Sequence, residues 1–164
     1  MKRLFLLRHA KSSWAQAEIA DIDRPLDELG RQAAPFMGRM MLKGELRPDV
    51  ILSSTARRAR ETIELLKDAA AWTAEVRFDE GLYEAGPHSI IRVLCGLPDQ
   101  FESAMVVGHN PGLEELIQML TGELVPMSTS SLAMLDLRIE RWAEVGPATG
   151  KLVEVVRPKS VAVE

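Results

Sequence analysis

The chain has 164 residues, 46% of them apolar and 27% charged, with a formal net charge of −4. That size fits one ordinary domain whose core buries roughly 70% of the unfolded surface, which excludes a disordered chain and any need for cross-links. The acidic balance argues against nucleic acid as the main ligand, no apolar run is long enough to span a membrane, and the lone Cys95 cannot form an internal disulfide.

With no leader-like pattern at its start, the chain is expected to be a reduced cytoplasmic protein. In chain order, residues 3–7 (RLFLL) read as a short buried strand. Residues 9–25 carry little periodicity and end in DRPLDELG, where Pro25 stops any helix and Asp27 is placed to cap the next. A helix then runs to about residue 43, with Ala33, Phe36, Met37, Met40 and Met41 on one face. Pro35 inside it implies a kink or a later start. VILSS (50–54) reads as a second buried strand, and helical spacing follows from Ala56 to about Ala70. EVRFD (75–79) reads as a short strand, 81–87 as a loop and 88–95 as a helix. AMVVG (104–108) is a third buried strand, followed by a helix over 110–122 with Asn110 as cap and Pro111 at its first position. SLAMLDLRI (131–139) alternates as a strand with one wet face does, and LVEVV (152–156) reads as another. Strands alternating with helices predict an α/β three-layer sandwich with a mostly parallel central sheet, the later strands antiparallel at an edge.

Three of these strands end alike: RLFLL in Arg8 and His9, VILSS in the cationic ARRAR at 56–60, and AMVVG in His109 and Asn110. Ligands of open α/β sheets bind outside the carboxyl ends of strands, so these tips are candidates to converge. Two histidines and at least two arginines there suit a small doubly charged anion such as phosphate. Each element also has an ordinary reading, as a strand-end basic pair, a helix-starting turn and the solvated face of a helix. The composition offers no metal ligand set and no P-loop for a nucleoside triphosphate. Cys95 reads as core, and His88 as a helix-terminal residue.

LRHAKS (7–12) resembles the RHG-type signature of the histidine phosphatase superfamily, which includes the cofactor-dependent phosphoglycerate mutases and acid phosphatases. SSTARRARET (53–62) is similar to that family's second motif, and VVGHNPG (106–112) to the motif around its second histidine. The short length, DRPLDELG and PMSTSSLAML (126–135) resemble the small phosphohistidine phosphatases of the SixA type. The resemblance spans roughly residues 3–139 and implies a phosphoglycerate mutase-like fold. Ala10 stands where the family's triplet has glycine.

The resemblance implies that His9 is the nucleophile, with Arg8 and Arg58 clamping the phosphoryl oxygens and His109 a donor or cation on the same oxygens. The positive charge of the arginines is expected to lower the pKa of His9. Glu84 falls where the mutases and larger phosphatases carry a proton-donating acid, so it is a candidate acid or an exposed loop residue. Arg24, Lys11, Ser12 and Asn110 are candidate substrate contacts, Arg24 alternatively forming a salt bridge with Asp21 or Asp23. Ser54 is a supporting residue. The implied activity is a metal-independent, cofactor-free phosphatase acting on a phosphohistidine-bearing protein. Hydrolysis of a small phosphate monoester, or non-catalytic binding of a phosphorylated partner, are the alternatives.

Overall fold

The computed structural model describes residues 1–158. Its sheet contains β1 (Lys2–Arg8), β2 (Val50–Ser53), β3 (Glu75–Phe78), β4 (Ser103–Gly108), β5 (Leu132–Leu137) and β6 (Gly150–Val156). The helices are α1 (Glu28–Lys43), α2 (Arg57–Ala70), α3 (Pro87–Cys95) and α4 (Gly112–Thr121). Strand order is β3-β2-β4-β1-β5-β6. β3, β2, β4 and β1 are parallel, β5 is antiparallel to β1, and β6 is antiparallel to β5. The sheet is therefore mostly parallel, with β5 the one reversed strand.

The strands' two-residue period divides the core. Leu4, Leu6, Leu52, Val106 and Leu135 pack against Ile90 and Leu94 of α3 and Leu113, Leu116 and Leu120 of α4. Phe5, Leu7, Ile51, Met105 and Val107 pack on the opposite face against Met37 and Met41 of α1 and Ile63 and Leu66 of α2. This gives the expected three-layer α/β sandwich. Crossovers between parallel strands are right-handed, so a change in the direction of strand order changes the face on which the helix lies. From β1 to β3 the chain moves one way with α1 and α2; from β3 to β5 it returns with α3 and α4. At the neighbouring strands β1 and β4 the chain therefore leaves to opposite faces, which opens a crevice at their carboxyl ends.

Several local expectations are corrected. Asp27 caps α1 as expected, accepting the Gly30 N–H at 2.8 Å. The helix runs unbroken through Pro35, and its buried stripe holds Ala34, Met37 and Met41, whereas Ala33, Phe36 and Met40 are half-buried. β5 has no wet face: its first four residues are buried, because Leu132 and Met134 join the core on the α1/α2 side while Ala133 and Leu135 join the core on the α3/α4 side, and Asp136 is spent on Arg3 at 2.8 Å. α4 starts at Gly112 with Pro111, not Asn110, as its cap residue and no side-chain cap bond. Cys95 is half-buried at the margin of the core, with its thiol near the carbonyls of Ala143 and Val145.

Candidate active site

Strand register brings the two histidines together. β1 and β4 pair in parallel up to Arg8 opposite Gly108, so His9 and His109 are the next residues on adjacent strands. The His9 N–H donates to the Gly108 carbonyl at 3.1 Å, and the imidazole centroids lie 5.0 Å apart. β2 pairs with β4 up to Ser53 opposite Val107, so Ser54 sits beside the same tip. Connections from strand to helix here are short, residues 54–56 and 109–111, and α2 begins at once with Arg57. Arg58 in its first turn is thereby carried into the crevice.

The sequence R-A-x-x-T now has a structural reason. Thr62, four residues after Arg58, accepts the Ala10 N–H at 2.9 Å and donates to the Arg58 carbonyl at 2.6 Å, tying the loop after His9 to α2. Ala10 is fully buried and its backbone lies outside the left-handed region, so alanine fits where the family has glycine. Lys11 is held from beneath by α1: its carbonyl accepts the Asp27 N–H at 2.9 Å, and a Cβ on Gly30 would stand 2.2 Å from the Lys11 oxygen. On the other side, Ser130 N–H reaches the carbonyls of Arg8 and His9 at 3.1 and 3.2 Å, so the 127–131 segment braces the same turn.

Both imidazoles are set by their partners. The Nδ1–H of His9 donates to the Ala10 carbonyl at 2.7 Å, which leaves the lone pair on Nε2. His9 is 6% exposed, and burial pushes its pKa down to about 3, with His109, Arg58 and Arg8 adding to the shift and the Ala10 contact opposing it. The expected direction holds, but burial outweighs the arginines as its cause. His109 is lowered to about 4, first by burial and then by Arg58. Its Nε2 lies 2.7 Å from Ser54 Oγ, and Arg58 Nη2 stands 3.3 Å from its Nδ1. An arginine can only donate, so His109 carries its proton on Nε2 and gives it to Ser54.

Asp21 organises the cations. Its carboxylate accepts from Arg24 Nε at 3.0 Å, Arg58 Nη2 at 3.1 Å and the Tyr83 hydroxyl, while its carbonyl accepts from Arg58 Nη1 at 2.8 Å. The Tyr83 hydrogen bond, with the two arginines, holds the Asp21 carboxyl down at about 2. Tyr83 is raised to about 12 by burial and by Asp21, and its ring meets His109 edge-on at 5.5 Å. Arg8 Nη1 donates to the Met127 carbonyl at 3.0 Å. The Nε groups of Arg8 and Arg58 are buried without a hydrogen-bond partner among the described residues, as are Asn110 Oδ1 and Ser130 Oγ.

These side chains line one cleft of about 400 Å³, which holds Arg8, His9, Lys11, Ser12, Arg24, Arg58, Glu84, His109 and Asn110. Every catalytic and substrate-contact candidate named from the sequence therefore reaches the same cavity, while Ser54 stands behind it on His109. Their settings differ. Arg24 forms the expected salt bridge with Asp21 and also lines the cleft, with a second bond, at 2.8 Å, to Ser12 Oγ. Asn110 spends its amide N–H groups on Glu114 at 2.9 Å and the Met127 carbonyl at 2.7 Å, which holds 127–131 in place. Lys11 Nζ lies 4.0 Å from Asp27 at the rim. Glu84 is exposed on the rim with a left-handed backbone, φ 51°. Arg57 and Arg60 face away, toward Glu61 and over Phe78. Sequence reasoning missed Tyr83, Thr129 and Trp14, and named Asp21 only as a partner for Arg24. Trp14 is the one with a signal: a tryptophan in a polar loop five residues after His9.

A donor-rich, cationic cleft fits a tetrahedral oxyanion. No group of three or more His, Cys, Asp or Glu side chains among the described residues could hold a metal ion. No helix among those residues is long and apolar enough to cross a membrane.

Comparison with known proteins agrees with this geometry. The model of the histidine phosphatase superfamily (branch 1) matches residues 4–88. An uncharacterized chloroplastic protein of Arabidopsis thaliana is 33% identical over 97% of this chain and 79% of its own. Among solved structures, the putative phosphohistidine phosphatase SixA from Agrobacterium tumefaciens superimposes with a TM-score of 0.83 at 30% identity, covering 96% of this chain and 98% of that one. Its counterpart described from Nakamurella multipartitia gives 0.82 at 29%, covering 96% of each chain. By its matching family model, its 33% identical relative and its fold, the chain belongs to the histidine phosphatase superfamily.

Proposed function

We propose that the protein is a metal-independent phosphatase that removes the phosphoryl group from a protein phosphohistidine through a transient phosphohistidine on His9. Membership in the histidine phosphatase superfamily supports phosphatase chemistry. The finer reading draws on likeness to the SixA structures and on the site itself. The observation that carries it is the unprotonated Nε2 of His9, aimed by the Ala10 carbonyl and sharing a cleft with two arginines whose buried Nε groups lack partners.

In this reading the His9 Nε2 lone pair attacks phosphorus as the bond to the carrier nitrogen breaks, and that electron pair leaves on the carrier, which keeps or takes a proton. Water then attacks the phosphorus on His9, releases inorganic phosphate and restores Nε2. Charge accumulates on the equatorial oxygens, so fixed donors from Arg8 and Arg58 supply most of the stabilisation. A dianion beside His109 favours its imidazolium, which turns Nδ1 from an acceptor of Arg58 into a donor toward those oxygens. Lys11, Arg24 and Ser12 complete the rim.

Three of the connections at this edge, residues 54–56, 79–86 and 109–111, carry no inserted cap, which suits entry of a protein segment beside the longer 9–27 loop. Glu84 on the rim favours the second reading, a small phosphate monoester whose leaving oxygen needs a proton. We also place the protein in the reducing cytoplasm, since its lone cysteine forms no internal disulfide.

The test compares wild type with His9→Ala on an aryl phosphate, with and without chelator, then on a phosphohistidine-bearing carrier protein beside a panel of monoesters. Wild type is expected to turn over with chelator present, to prefer the carrier, and to lose activity with His9. Chelator-sensitive turnover, or an active alanine variant, would overturn the nucleophile assignment; preference for a monoester would establish the second reading.

A further inference from the structure

Trp14 lies between β1 and α1 and lines the cleft with His9, Arg24 and His109. One face of its indole covers the Arg24 guanidinium, whose central carbon stands 3.5 Å from the ring centroid, yet the residue is 77% exposed. Arg24 beneath it is 8% exposed and fixed along its edge by Asp21, Ser12 and Ser13. The ring is thus supported from behind by a cation that is itself locked, and it presents apolar surface at the mouth of a cationic cavity. Tryptophan rarely leaves so much of its area in water unless something covers it in use. The phosphoryl chemistry above makes no use of it.

We propose that Trp14 determines specificity: it is the platform on which a flat aromatic or heteroaromatic phosphoryl carrier, such as the imidazole of phosphohistidine, lies while its phosphoryl group reaches His9. This rests on the phosphatase reading and extends it from the phosphoryl group to the leaving group. Arginine and histidine clamps recognise only the oxyanion, so they cannot separate an imidazole from an aliphatic carrier. A fixed aromatic face does, because stacking and burial reward flat apolar area. Were Trp14 merely a cover for Arg24, its loss would affect every substrate alike.

The experiment measures kcat and KM of wild type, Trp14→Ala and Trp14→Phe on N-phosphoimidazole, 4-nitrophenyl phosphate and acetyl phosphate, with inhibition by inorganic phosphate alongside. Trp14→Ala should raise KM for the two aromatic carriers roughly 3- to 10-fold. It should leave acetyl phosphate and phosphate inhibition within about twofold, and Trp14→Phe should restore most of the loss. Equal losses on all probes would show that Trp14 only steadies Arg24, and no change on any would show that carriers never touch it; either overturns the proposal. A wild type that ignores phosphohistidine proteins but keeps the Trp14-dependent preference would defeat the proposed substrate and leave this inference standing. Failure of wild type to turn over any probe would defeat both.

Discussion

The two ends of the sheet are built from similar residues to opposite effect. At the amino ends of β1 and β4, Lys2 is 4% exposed, and its ammonium donates to the carbonyls of Asp99 at 2.6 Å and Phe101 at 2.9 Å. Asp49 accepts the N–H groups of Glu102 and Ser103 there, and the Trp142 indole N–H reaches the Phe101 carbonyl. At the carboxyl ends of the same strands lie the unpartnered atoms Arg8 Nε, Arg58 Nε, Asn110 Oδ1 and Ser130 Oγ. Buried polar groups are ordinarily paired because an unpaired one costs about 1–3 kcal/mol. A cation saturated by carbonyls is structural, whereas cations held in place but left with spare donors are prepared for an anion. The base of the sheet stabilises the fold; the rim gives up stability for binding.

That contrast can be broken most sharply at His9. His9→Ala is expected to lower kcat at least about ten-thousandfold while leaving thermal stability unchanged or higher, since it removes the proposed nucleophile, which is buried without charge. A melting curve beside the kinetics checks both halves, and a stability loss in place of an activity loss would erase the distinction between the ends.

Acid should separate them next. A histidine lowered to about 3 or 4 in the fold titrates near 6.5 when unfolded, so below pH 6.5 the unfolded chain binds more protons and stability falls as pH falls. Between pH 7 and pH 5 His9 and His109 together should cost about 4 kcal/mol, roughly 2 kcal/mol each. Asp21, held at about 2, stays ionised through that window and adds nothing there. Urea titrations at both pH values measure the drop, and the His9→Gln, His109→Gln double variant should flatten it.

Arg58→Met should lower kcat/KM by roughly 10²–10³ by removing a donor to the transition state. Lys2→Met, at the other end, should lower stability by about 1–3 kcal/mol through its abandoned carbonyls, with kcat of the folded protein unchanged. Steady-state kinetics and denaturation on both variants make the pair a direct test, because each is expected to move only one of the two quantities strongly. A loss of similar size comes from Gly30→Ala, whose methyl would strike the Lys11 carbonyl: about 1–3 kcal/mol of destabilisation, with KM raised by displacement of the loop after His9.

Much of this was legible in the sequence because burial writes itself into the pattern. The runs at 3–7, 50–54 and 104–108 are continuous because those strands are covered on both faces, and their polar ends mark the rim. SLAMLDLRI misled because Ser131 and Ala133 look polar or small yet are fully buried, both faces of β5 being packed into the core. Strand alternation reports composition, and only the neighbours decide whether a face is wet. Asp21 and Tyr83 were opaque for a different reason: their bonds join residues 21, 58 and 83, and loop residues reveal their type but not their direction. The lowered pKa of His9 was foreseen in sign but not in cause, because burial is a property of the assembled rim.

The most direct measurement is to quench the protein during turnover in alkaline denaturant and locate the phosphoryl group by mass spectrometry. The account predicts one acid-labile, alkali-stable phosphoryl group on the peptide carrying His9, absent from His9→Ala. A phosphoryl group on any other residue, or sustained turnover by the alanine variant, would contradict it.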